Sequence, residues 1–374
     1  MTAPLPDHVA AALGHPVPDP WARALRDVPR RDFLPDVLWL RDGHGGYTRC
    51  DRAREPDRWE EAAYSDAPLV TRIEREEDGA QTPTSSASAP STVVRMLEQA
   101  ELADGMRVLE IGTGTGFHTA LLCHRLGDRN VTTIDLDQSI THRARKHLAA
   151  AGYHPGVITG DGADGVPDRA PFDRIIATCS VRTVPSAWLE QVRAGARLVL
   201  PWSTSWLVYG TLELTRYDDV SASGRWHAYG SYMGMRGQHP VSTLADVVHP
   251  QDAPDRGETD LSPWHVAGQD LNALFAVGLR VPDVWHSWDT DPGTAGVHTR
   301  LWLADDAATS WASVDYDGTR SDRFAVAQHG DRRLWDEVYA AHAAWRTAGR
   351  PDISRHRVAV TRGGQHVRIG AADA

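Results

Sequence analysis

Three glycines at alternate positions, Gly112, Gly114 and Gly116, constrain this chain more than any other feature. Before them, Val108, Leu109 and Ile111 make the short apolar run of a buried strand. After them the chain reads as a helix from Thr119, with Ala120, Leu121, Leu122 and Leu126 on its apolar face. Strand, glycine turn, helix is the nucleotide-binding corner of a doubly wound sheet, where glycine permits a sharp turn and close approach of a ligand to the backbone. The dinucleotide fingerprint needs a third glycine three residues after the second. That position is Phe117, so the spacing argues against NAD and leaves a nicotinamide oxidoreductase as a distant reading. The pattern is acid-x-Gly-x-Gly-x-Gly, starting at Glu110, and a second acid, Asp135, follows Gly116 by nineteen residues at the end of the apolar run 131–134. An acid there can accept hydrogen bonds from both ribose hydroxyls.

The 374 residues exceed one typical domain, and a hydrophobic fraction of 41% permits a sizeable core. A net charge of -11 argues against nucleic acid and against an anionic membrane as partners. Cys50, Cys123 and Cys179 are far apart, so neither a disulfide framework nor a zinc knuckle is expected, and Cys123 reads as packing. His142 and His147 share a helix without metal-ligand spacing; the eighteen histidines read as surface residues, and no metal is expected. The start has no basic region followed by an apolar stretch, and no apolar run has membrane-spanning length, so a cytoplasmic, soluble protein is expected.

In chain order, residues 7–27 read as a helix, 40–60 as a polar surface loop, 70–73 as a short strand and 74–79 as a charged turn. The segment Gln81-Thr-Pro-Thr-Ser-Ser-Ala-Ser-Ala-Pro90 reads either as a flexible linker or as a polar loop whose hydroxyls and free amides hold an anion at the start of a helix from Ser91. Strands are expected at 131–134, 157–159, 172–178 and 197–200, with helices at 140–151 and 187–192 and Gly195 as the stop of the second. This alternation implies a parallel sheet with both faces covered and ligands at the strands' carboxyl ends. Residues 112–116, Asp135, Asp161 with Gly162, and 178–180 then share one rim, and Asp161 in its Gly-Asp-Gly turn can reach an adenine amino group. Segments 207–216 and 226–235 read as a hairpin closing the sheet. Residues 238–374 carry seven of the fourteen tryptophans. There, 331–347 reads as a helix stopped by Gly349-Arg-Pro351, with Trp335 and Trp345 in the core, and 357–361 and 366–369 pair around Gly363-Gly364.

The turn with both acids resembles the class I S-adenosylmethionine (SAM) methyltransferases. More of the chain is similar, in order, to the protein-L-isoaspartate O-methyltransferases: Val28-Pro-Arg-Arg-Asp-Phe-Leu-Pro35, Ala63-Tyr-Ser-Asp-Ala-Pro68, Ser88-Ala-Pro90, the glycine turn, Gly160-Asp-Gly162, Ala170-Pro-Phe-Asp173 and Gly195-Ala-Arg-Leu-Val199. The resemblance covers roughly residues 8–235. It implies an α/β fold, a Rossmann-like doubly wound sheet with an N-terminal helical and loop region and an added α+β C-terminal extension. It divides the chain into 1–85 on the substrate side, a SAM-binding core at 86–237, and an extension at 238–374 suited to peptide recognition. It implies Ser88 as the catalytic-site residue beside donor and acceptor carboxylate, and Glu110, Gly112, Thr113, Gly114, Gly116, Asp135, Leu136, Asp161, Gly162 and Thr178 as SAM-binding positions.

Two departures stand out. Pro83 to Ala87 separates Gln81-Thr82 from Ser88, where the family runs these together, and 238–374 is absent from the short repair enzymes. The extension resembles enlarged bacterial relatives that methylate an aspartate in ribosomally made peptides, crosslinked by ATP-grasp enzymes or bridged by lanthionine, whose ester then closes to an aspartimide. The expected function is therefore aspartyl carboxyl methylation of such a peptide. The alternatives are isoaspartyl repair of damaged proteins and a non-catalytic binding scaffold; the intact set of acids and glycines argues against the scaffold.

Overall fold

The structure is a computed structural model and describes residues 4–43, 45–75, 81–218, 221–238 and 242–370. The charged turn expected at 74–79 lies largely outside these residues.

The N-terminal region is more ordered than its composition suggests. The helix expected at 7–27 is two, α1 (Leu5–Leu13) and α2 (Asp19–Asp27), because Gly14 takes φ 77° and Pro16 and Pro18 follow. The loop expected at 40–60 is instead β1 (Val37–Arg41), β2 (Tyr47–Asp51) and α3 (Pro56–Tyr64). Their anchor is fully buried Trp59, packed with Leu38, Cys50 and Leu69, and its indole donates to the Pro35 carbonyl at 3.1 Å. β3 (Leu69–Arg75) and β4 (Gln81–Ala87) complete a four-stranded sheet in the order β2-β1-β3-β4. The Ser/Thr segment is thus a strand, and Pro83 is tolerated because β4 lies at the sheet edge.

The central body follows with α4 (Pro90–Gln99), β5 (Val108–Ile111), α5 (Phe117–Leu126), β6 (Val131–Asp135), α6 (Gln138–Ala150), β7 (Gly156–Thr159), β8 (Phe172–Ala177), α7 (Ser186–Gln191), β9 (Val192–Ser203), β10 (Val208–Arg216) and β11 (Ala222–His227). Strands β7-β6-β5-β8-β9 run parallel, and β10 and β11 add antiparallel. This is the class I SAM-dependent methyltransferase fold. Both faces are covered. Val93, Leu97, Leu121 and Val131 lie in one core, while Leu109, Ile175, Trp188 and Leu198 lie in the other. Gly195 does not stop a helix: α7 passes directly into β9, and Gly195 sits inside that strand at φ 77°. The second strand expected at 226–235 comes earlier, and the chain leaves the sheet after His227.

The remainder comprises α8 (Leu244–Val247), β12 (Asp255–Thr259), α9 (Trp264–Ala267), α10 (Leu271–Arg280), β13 (Val284–Asp289), β14 (Thr299–Asp305), β15 (Trp311–Tyr316), β16 (Phe324–His329), α11 (Leu334–Thr347), β17 (His356–Thr361) and β18 (Gly364–Ile369). β12-β16-β15-β14-β13 form an antiparallel sheet, over which Leu334, Trp335, Val338 and Ala341 of α11 are buried. Trp335 and Trp345 are core residues, as expected. α10 joins the two sheets: Phe275 packs edge-on against Trp226 of β11, while Leu274 and Val277 face the second sheet. The hairpin β17–β18 does not join the second sheet. β17 pairs with β11 and makes the central sheet nine-stranded.

Candidate active site

A cleft opens at the carboxyl ends of β5, β6 and β8. It is lined by Ile134, Asp135, Leu136, Ile140, Asp161 and Gly162, by Thr84 to Ser88, Val93 and His118, and by Tyr232 to Arg236. The glycine turn lies among them. Its backbone needs glycine: Gly112 has φ 97°, and a Cβ there would lie 2.5 Å from Thr178 Oγ1. The Thr178 hydroxyl donates to the Gly112 carbonyl at 2.5 Å and to that of Ile111 at 3.2 Å, so this residue shapes the turn. Gly116 at φ 89° precedes α5, which begins at Phe117, two residues earlier than the periodicity suggests.

Asp135 and Asp161 hold their predicted places. Asp135 Oδ2 accepts from Gly114 N and Oδ1 from Asp137 N, each at 3.1 Å, which leaves lone pairs on both oxygens for ligand hydroxyls. Asp161 Oδ1 accepts from Ala163 N at 2.8 Å. Leu136 is exposed against the cleft and offers an apolar surface. Thr113 reaches the cleft through its backbone, since its buried hydroxyl meets Thr133 Oγ1 at 2.8 Å. Glu110 lies beneath the rim, fully buried; Oε1 takes His118 Nδ1 at 2.6 Å and Oε2 takes the Thr119 hydroxyl at 2.5 Å.

Ser88 also lines the cleft, and its backbone is held by Arg30. This guanidinium is wholly buried and donates to the carbonyls of Ser65, Ala67, Ala87 and Ser88. Burial lowers the Arg30 pKa to about 10, against the charge of Asp66. The free helix start expected after the Ser/Thr run is occupied, because Asp66 Oδ1 accepts from Ser91 N at 2.7 Å. Across from Ser88, burial pushes the Tyr232 phenol up to about 12, against the opposing hydrogen bond of the Ser88 hydroxyl. Tyr232 is held by the segment after β11, whose carbonyls at Tyr232 and Met233 accept from Ser180 Oγ and N. Cys179 also lines the cleft, but burial pushes its thiol up to about 12, so it is protonated and no nucleophile at neutral pH.

Sequence reasoning missed His118, Arg30 and the 232–236 segment. The surface reading of the histidines fails at His118, His342 and His356, which are buried, and at His147, whose Nδ1 meets the Thr115 carbonyl at 3.1 Å. A polar residue in the first turn of an otherwise apolar helix was the available signal for His118.

Residues 48–216 match the family model for protein-L-isoaspartate(D-aspartate) O-methyltransferase. The protein-L-isoaspartate O-methyltransferase of Thermococcus sibiricus is 38% identical over 223 residues, 94% of that protein and 59% of this chain. This chain belongs to the protein-L-isoaspartate O-methyltransferase family. The Ignicoccus hospitalis relative is 39% identical over 182 residues, 72% of its length and 48% of this chain. A solved protein-L-isoaspartate O-methyltransferase shares the fold with a TM-score of 0.54 at 20% identity, covering 98% of this chain and 99% of its own. The chain is a SAM-dependent methyltransferase, and the cleft suits SAM by its Cβ-free turn at Gly112 and its two rim carboxylates. Among the described residues, no helix is long and apolar enough to cross a membrane.

Proposed function

We propose that this chain methylates the free carboxylate of isoaspartyl residues in proteins or peptides, with SAM bound along the glycine turn. The observation that carries the reading is that Ser88, Tyr232, Asp135 and Asp161 line one cleft, in a chain 38% identical to a protein-L-isoaspartate O-methyltransferase over nearly all of that relative.

Bound SAM supplies an electrophilic methyl carbon on a sulfonium. An acceptor carboxylate, with pKa about 4, is already ionised at neutral pH, so the chain has no proton to remove. Its work is alignment and exclusion of water. Asp135 holds the ribose, Asp161 the adenine amino group, and Gly112, Gly114 and Gly116 let the backbone close on the ligand. Leu136 and Gly162 cover the nucleoside, while Thr113 and Thr178 keep the turn in shape. Ser88, held by Arg30, donates its hydroxyl to the acceptor carboxylate.

A second reading keeps the chemistry and changes the acceptor: an aspartate in a ribosomally made, modified peptide, whose methyl ester closes to an aspartimide. It is favoured by the Pro83 to Ala87 insertion, which forms part of β4 and supplies Ala87 to the cleft wall. In either reading residues 1–85 carry substrate contacts, 86–237 the SAM site, and 238–374 contacts to the polypeptide beyond the reacting residue.

Matched isoaspartyl and aspartyl peptides incubated with labelled SAM test this. Faster labelling of several unrelated isoaspartyl peptides is expected. Labelling confined to an aspartate in one modified peptide replaces the first reading by the second, and failure to bind SAM returns the scaffold.

A further inference from the structure

Among the described cleft-lining residues, His118 is the one with a buried side-chain nitrogen left without a partner: Nε2 has none, and the residue is 8% exposed. Its other nitrogen faces Glu110, fully buried, with both oxygens engaged. An ionised carboxylate can only accept, so Nδ1 carries the proton. In the neutral imidazole Nε2 is then a bare acceptor, on a cleft-lining residue in the first turn of α5. A buried acceptor of this kind calls for a donor.

We infer that His118 Nε2 accepts a hydrogen bond from the α-ammonium of the methionine half of SAM, with Glu110 as the buried counter-charge. Charge decides between the two polar groups that this half offers. Glu110, neutral His118 and an ammonium sum to zero. A carboxylate on Nε2 would need an imidazolium and would leave a net negative charge in a buried site, which is costly. The positive end of α5 does not reverse this, because Glu110 already meets its first turn through Thr119. The pair therefore selects ligands that carry the amine. The inference rests on the reading that places SAM in this cleft.

Calorimetry with S-adenosylhomocysteine, and with its analogue lacking the α-amine, tests it without turnover. The wild type should bind the desamino analogue about ten- to a hundredfold more weakly, the range of a charge-assisted hydrogen bond. His118→Leu should bind both alike, near the wild-type value for the analogue, and His118→Gln, which keeps an acceptor oxygen, should recover part of the preference. Equal binding by the wild type, or undiminished preference in the leucine variant, overturns the inference. The wild-type pair decides even where a variant fails to fold. A wild type that binds neither ligand removes the cofactor site itself, and this role with it.

Discussion

In the central sheet, buried polar side chains gather at one rim. Glu110, His118, Thr113 and Thr133 lie within or beside the glycine turn, and His118 Nε2 among them has no partner in the protein. In the five-stranded sheet, two buried polar side chains, Asp305 and Gln328, are spent on groups close by in the chain. Asp305 takes the amides of Thr309 and Ser310, and Gln328 bonds Trp335 N and Asp336. Strand direction accounts for much of the difference. Parallel strands deliver all their carboxyl ends to one side, where polar groups converge, whereas antiparallel neighbours alternate and their loops divide between two ends. The first sheet is thus placed to hold a cofactor.

Breaking the rim from behind should have the largest effect. Arg30→Met leaves four carbonyls without their donor and should cost about 3–5 kcal/mol, read as a lowered denaturation midpoint with loss of activity. A midpoint like the wild type's would mean that water replaces the guanidinium. Next come changes within the rim. Asp135→Ala should weaken S-adenosylhomocysteine binding by about 1.5–3 kcal/mol, while Ser88→Ala should lower kcat more than cofactor affinity. Reversed outcomes would exchange the roles of the two residues.

The smallest effect belongs to the second sheet. Burial lowers His286 from 6.5 to about 4, and its ring packs against Trp206 at 4.6 Å. The folded protein keeps this imidazole neutral while the unfolded chain protonates it. Its contribution to stability is therefore intact above pH 6.5 and is lost as pH falls towards 4. Relative to His286→Phe, the wild type should lose about 1 kcal/mol by about pH 5.5. A constant difference between the two proteins would refute this.

What could be read from the sequence was local. Val108 to Asp135 carries its strand, turn and acid in one stretch, so fold class and most of the rim follow from spacing alone. Residues 40–60 were opaque because few of them are apolar, and Trp59 anchors them largely through residues outside the stretch, among them Leu38 and Leu69. Arg30 looks like a surface residue until the carbonyls from 65 to 88 surround it. His118 gains meaning only against Glu110, on the strand before it across the turn. The strands at 356–369 are visible as strands, yet nothing local says that they pair with β11.

That last pairing bears on how the molecule can be cut. A protein shortened at residue 237 would lose β17 and leave the ladder of β11, Ala222–His227, open to water or to other chains. Phe275 would go as well, baring fully buried Trp226. An isolated methyltransferase half should therefore clump through that bared strand, and the closing hairpin would have to be grafted back, by a short tether after His227, to keep it in solution.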